Sequence, residues 1–86
     1  MVSKEVMVNN SKGLHARPAT LLVRKAASFK SDIGIEYMGK RANVKSLIGI
    51  LSLGVGSNSI VNVTVNGDDE KLALEGIVNL INSLEE

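Results

Sequence analysis

The amino-acid sequence predicts an α+β fold of order βαββαβα, with a mainly antiparallel sheet covered on one face by helices. Three observations predict it. Apolar residues alternate with polar ones in short stretches, as at Ile33, Ile35, Tyr37 and at Val61, Val63, Val65. They recur at helical spacing in two longer stretches, Ala19–Leu22–Val23–Ala26–Phe29 and Ala73–Ile77–Leu80–Ile81–Leu84. One two-residue turn, Met38-Gly39, links neighbouring strands too closely for a crossover, so they pair as a hairpin.

The elements follow in order. Residues 2–8, VSKEVMV, make a first strand with Val6 and Val8 on one face, and residues 9–13, NNSKG, make a turn-rich loop. A helix runs from about Ala16 to Ser28, with Pro18 in its first turn, where a missing N–H breaks no helical bond. The hairpin returns through Lys40 to Val44. Ser46 then caps a short apolar helix over Leu47 to Leu53, and Gly54 stops it. A strand over Ile60 to Asn66 leads through the turn Asn66-Gly67-Asp68, which also offers a cap, into the last helix. The 86 residues make a single domain, 1–86, with no linker or internal repeat.

Composition removes several function classes. The chain has no cysteine, hence neither a disulfide framework nor a thiolate metal site. Ten basic residues nearly balance nine acidic ones, and Phe29 and Tyr37 are the only aromatics, so no nucleic-acid surface is expected. No apolar run approaches the ~20 residues of a membrane helix, so no membrane insertion is expected. The N-terminal stretch lacks a signal-peptide pattern, which places the chain in the cytoplasm. Charge is unevenly spread: eight of the ten basic residues lie between Lys12 and Lys45. Such asymmetry usually means two solvated faces; it also suits an anionic ligand or partner.

The chemistry concentrates in GLHARPAT, residues 13–20, which holds the only histidine, His15, beside Arg17. A histidine at a helix start is most often a surface or capping residue. Here it also sits where the first-turn N–H groups and the macrodipole favour an anion, and Arg17 adds a fork suited to phosphate oxygens. A neutral imidazole is a nucleophile, so the pattern suits a histidine that accepts a phosphoryl group and passes it on. No nucleotide-binding loop, metal cluster or Ser/His/Asp set accompanies it. The parts present are those of a stoichiometric carrier, with no cofactor.

GLHARPAT at 13–20 together with NVKSLIGILSLG at 43–54 resembles the histidine-containing phosphocarrier (HPr) family of the phosphoenolpyruvate-dependent sugar phosphotransferase system. The likeness extends over the whole chain in length, element order and motif separation. It implies an open-faced β-sandwich of four antiparallel strands with three helices on one face. It implies that His15 takes a phosphoryl group on Nδ1 from enzyme I and gives it to sugar-specific IIA domains, with Arg17 contacting the phosphate. It implies that Ser46 is a regulatory site for an HPr kinase/phosphorylase, as in Gram-positive-type members. A catabolite-control transcription factor is then a further partner. Ser46 is equally a plain helix cap.

Leu47, Ile48 and Leu51 cannot all point inward from so short a helix. The resemblance assigns them, with Thr20 and Arg24, to a partner-docking surface rather than to the core. Lys12, Ile48 and Leu51 depart from common choices at their positions, which bears on partner preference. The regulatory paralogue Crh lacks the active histidine, and this chain keeps it. A monomeric carrier is therefore expected, with a regulatory docking module controlled at Ser46 as the alternative.

Overall fold

A computed structural model describes residues 1–84. Seven elements occur in the expected order: β1 (Val2–Val8), α1 (Ala16–Ala27), β2 (Asp32–Tyr37), β3 (Lys40–Asn43), α2 (Leu47–Ser52), β4 (Ser59–Asn66) and α3 (Glu70–Asn82). The strands form one sheet in the order β1-β4-β2-β3, with every pair antiparallel. Because β4 inserts between β1 and β2, strands β4 and β2 are central and β1 and β3 are the edges. The architecture is an open-faced β-sandwich.

Alternation decides which side of each strand is buried. Val6 and Val8, Ile33 and Ile35, and Val61, Val63 and Val65 point into one core with Ala19, Leu22 and Ala26 of α1, Ile50 of α2, and Ala73, Ile77 and Ile81 of α3. α3 lies against β1, β4 and β2, while α1 packs on α3 and α2. Alanines at three of the buried helix positions let backbones approach closely. Val78, outside the predicted stripe of α3, is also buried, and Leu80, inside it, is only half-buried. The opposite sheet face is polar through most of its length: Glu5, Asn62 and Glu36 stand in one row across three strands, and Ser3, Thr64 and Gly34 in the next.

The hairpin turn has positive φ at both central residues, 50° at Met38 and 82° at Gly39, which matches the twist of the strands it joins. Beyond β3 the pairing continues in one bond, Val44 N–H to Ile33 O at 2.9 Å, so the predicted end at Val44 differs only in how the last rung is counted. The start of α3 differs from expectation in substance. Its cap position is Asp69, yet the Asp69 side chain does not cap the helix. It accepts hydrogen bonds from Lys30 N–H at 2.9 Å, from Ser31 N–H at 3.0 Å and from the buried Ser31 hydroxyl. The carboxylate thus ties the α1–β2 connection to the β4–α3 turn, a contact between residues 38 or 39 apart that no local pattern reveals.

Those donors, the Ser31 hydroxyl first and the Lys30 N–H next, hold the Asp69 carboxyl below its ordinary value of 3.8. The ionised form is therefore the stabilising one in the fold. Its contribution is complete above pH 3.8 and fades as pH falls through the lower folded-state value. Asp69→Asn is expected to lower the melting temperature at neutral pH, and the gap to the original protein should close on acidification. Thermal melts from about pH 7 to about pH 2.5 check this; a gap of constant size would assign the loss to shape rather than charge.

Candidate functional site

His15 is the N-cap residue of α1, with extended backbone angles of φ −82° and ψ −167°. Its carbonyl accepts the first bond of the helix, from Ala19 N–H at 3.0 Å, and its side chain makes no capping bond to the helix. The ring is thereby left at the positive end of the helix, half-exposed, instead of being spent on the cap. Pro18 is buried in the first turn. Arg17, one position before it, is exposed on the outer side.

What places His15 is the loop before it. Gly13 has φ +66° and runs so close to the segment after α2 that a Cβ there would lie 2.3 Å from Val55 O and 2.6 Å from Gly56 Cα. Leu14, buried behind it, donates its N–H to Val55 O at 2.9 Å. Val8 O accepts from Asn58 N–H at 2.6 Å, closing the same junction from the end of β1. The sequence marks Gly13 as part of the motif, but neither periodicity nor composition reveals that residues 55–58 are its partner.

The second motif forms α2 as predicted. Ser46 accepts from Gly49 N–H at 3.1 Å and is a working N-cap. The helix turns Ile50 into the core and leaves Leu47, Leu51 and Ile48 exposed by 38, 40 and 80%. On α1, Arg17, Thr20 and Arg24 share the side facing away from Ala19, Leu22 and Ala26. Leu21 lies among them, 41% exposed. The sequence reading passed over it. The signal was present: Leu21 stands four residues after Arg17 and three before Arg24, opposite the apolar stripe.

Two contacts fix how the helices run. Val55, after α2, meets Leu14 at the start of α1, whereas Lys45 Nζ, before α2, donates to Phe29 O beyond the end of α1 at 3.0 Å. α2 therefore lies alongside α1 in the opposite direction. His15 and Ser46 occupy opposite ends of the pair, with the exposed apolar and basic side chains between them. The structure thus leaves the predicted residues of both helices exposed or half-exposed but does not bring Ser46 to His15. A hollow of about 470 Å³ lies elsewhere, on the open sheet face, lined by Asp32, Gly34, Arg41 and Thr64 among others. It includes none of the residues around His15.

The family described as "PTS HPr component phosphorylation site" matches residues 2–83. HPr-C-His from Thermoanaerobacter tengcongensis is 43% identical over 96% of this chain and 93% of its own, with a TM-score of 0.93. The phosphocarrier protein HPr from Bacillus anthracis is 44% identical over 92% of this chain and 94% of its own, with a TM-score of 0.88. Crh, the catabolite repression protein of Bacillus subtilis, is 38% identical over 100% of this chain and 99% of its own, with a TM-score of 0.79, and that structure is a swapped dimer.

Gly13→Ala is expected to destabilise the protein by at least ~1–3 kcal/mol, the cost of a side chain at positive φ. The approach to Val55 O adds to it, because backbone must move. Denaturant unfolding measures the loss, and a value within ~0.5 kcal/mol of the original would mean that the loop is not held as described.

Proposed function

This chain belongs to the HPr family of phosphocarrier proteins of the sugar phosphotransferase system, and from that membership we propose that it accepts a phosphoryl group on His15 from phosphorylated enzyme I and passes it to sugar-specific IIA domains. The observation that carries this reading is the half-exposed His15 ring at the positive end of α1, with Arg17 exposed beside it. The Nδ1 lone pair forms the N–P bond as the bond between phosphorus and the donor atom breaks, and the donor leaves with that electron pair. The three phosphoryl oxygens then lie where the helix dipole and a guanidinium favour negative charge. Transfer onward is the same exchange in reverse, so the protein is a carrier consumed and regenerated in stoichiometric amounts rather than a complete enzyme.

Arg17, Thr20, Leu21 and Arg24 on α1 and Leu47, Ile48 and Leu51 on α2 make the docking surface in this reading. Apolar side chains supply the contact area and basic ones select acidic partners. Ile48, at 80% exposure, has little to contribute to stability and much to contribute to a partner's pocket. In this reading the carrier acts in the cytoplasm and transfer calls on no cofactor.

Ser46 is a regulatory site in the same reading, modified by an HPr kinase/phosphorylase. A phosphate there adds about −1.5 to −2 units of charge beside α2's first N–H groups, which favours the helix by roughly 0.3–1 kcal/mol. Since Ser46 sits at the far end of α1 from His15, the charge acts on docking rather than on the imidazole. A partner that covers Leu47 and Ile48 must desolvate it, at a cost of several kcal/mol unless it offers cations. A catabolite-control transcription factor with a basic pocket would gain where enzyme I loses.

Incubated with phosphoenolpyruvate and enzyme I, the protein is expected to gain one acid-labile phosphoryl group by intact mass, and His15→Ala none. Equal labelling of both proteins would sink the carrier reading. Ser46→Asp keeps a good N-cap, so its melting temperature should match or exceed the original's while its rate of phosphorylation by enzyme I falls at least ~10-fold, the equivalent of ~1.4 kcal/mol. Measured on one sample, an unchanged rate would leave Ser46 as a cap only.

A further inference from the structure

The peptide group joining Gly13 to Leu14 is gripped from both ends. Its carbonyl oxygen, on Gly13, accepts from Asn10 Nδ2 at 2.8 Å. Its N–H, on Leu14, donates to Val55 O at 2.9 Å. One grip comes from the chain just past β1, the other from the segment just past α2. Gly13 N–H also returns to Asn10 O at 3.3 Å, so Asn10 closes the loop through backbone and side chain together.

Asn10 is only 4% exposed, one of two buried polar residues among those described. Removing a carboxamide from water costs free energy that a hydrophobic residue of the same volume would not incur. A loop can be closed without that cost, as the Gly13–Asn10 backbone bond already does. The side chain adds something more specific: it sets the rotation of one peptide plane. We propose that Asn10 is a positioning residue for phosphoryl transfer, acting through the Gly13–Leu14 peptide on the orientation of His15. The inference rests on the carrier reading above.

The mechanical path is short. With the plane fixed at both ends and the Leu14 side chain buried, only the backbone angles of Leu14 separate a rigid anchor from the His15 Cα. If the Asn10 amide is lost, the plane is held at its N–H end alone and can tilt about the bond to Val55. His15 then samples directions off the line of transfer. Displacements of about 1 Å at a reacting atom cost up to ~100-fold in rate. Docking, by contrast, uses the exposed faces of α1 and α2, whereas the Asn10 side chain is buried in the loop before α1.

The test is Asn10→Ala, assayed with phosphorylated enzyme I at a temperature where circular dichroism shows the variant fully folded. The expected result is a kcat about tenfold lower with KM within about twofold of the original. Amide hydrogen exchange supplies a second readout: Leu14 N–H should exchange by local opening in the variant and only by larger unfolding in the original. Should Asn10→Ala not fold, Asn10→Ser, whose shorter side chain falls short of the Gly13 oxygen, takes its place with the same expectations. A kcat within twofold of the original in the folded variant, or a loss confined to KM, overturns the proposal and leaves Asn10 a structural residue. An original protein that takes no phosphoryl group at all overturns the carrier reading instead, and the two failures are thereby distinguished.

Discussion

The arrangement of the site depends on one close approach, that of Gly13 to Val55 and Gly56. No side chain fits between these two stretches of backbone, and the chain crosses there at φ +66°, where glycine alone is unstrained. The contact joins the loop that enters α1 to the loop that leaves α2. It thereby fixes the position of the histidine and the direction of the second helix at once. A histidine held by a mobile loop would lose orientation on every encounter. Here the helix start, the Leu14–Val55 hydrogen bond and the buried Leu14 side chain define its place before any partner arrives.

The rest of the fold supports that junction. A sheet of order β1-β4-β2-β3 brings the ends of β1 and β4 together, and Asn58 N–H meets Val8 O directly below the loop. On the far side, Asp69 gathers Lys30 and Ser31 to the start of α3, and Lys45 holds Phe29. α1 is thus secured at both ends by contacts outside the helix itself. Its middle is free to be small and apolar on one side and basic on the other. The polar braces are few and each joins segments distant in sequence, so they fix relative positions while the valine and isoleucine layer supplies most of the burial.

The antiparallel course of α1 and α2 sets what each motif can do. His15 begins α1 and Ser46 begins α2, so the two residues stand at opposite ends of the pair. In the proposed reading, a charge placed at Ser46 is remote from the imidazole. Relatives in the same family include a swapped dimer, Crh of Bacillus subtilis.

All seven elements were legible in the sequence because each announces itself locally. Strand alternation, the spacing of Ala19, Leu22 and Ala26, the cap at Ser46 and the turn at Met38-Gly39 are properties of a few neighbouring residues. The histidine and arginine of the proposed site stand out for the same reason, since the helix start that frames them is encoded within eight residues. Leu21 could have been found by the same spacing and was not. What tertiary structure alone decided is long-range: the insertion of β4 between β1 and β2, the use of Asp69 as a brace instead of a cap, the partner of Gly13, and the separation of Ser46 from His15. Local propensity acts through bonds and contacts a few residues apart. These four features are set by which distant surfaces bury against one another, and that choice belongs to the packed whole.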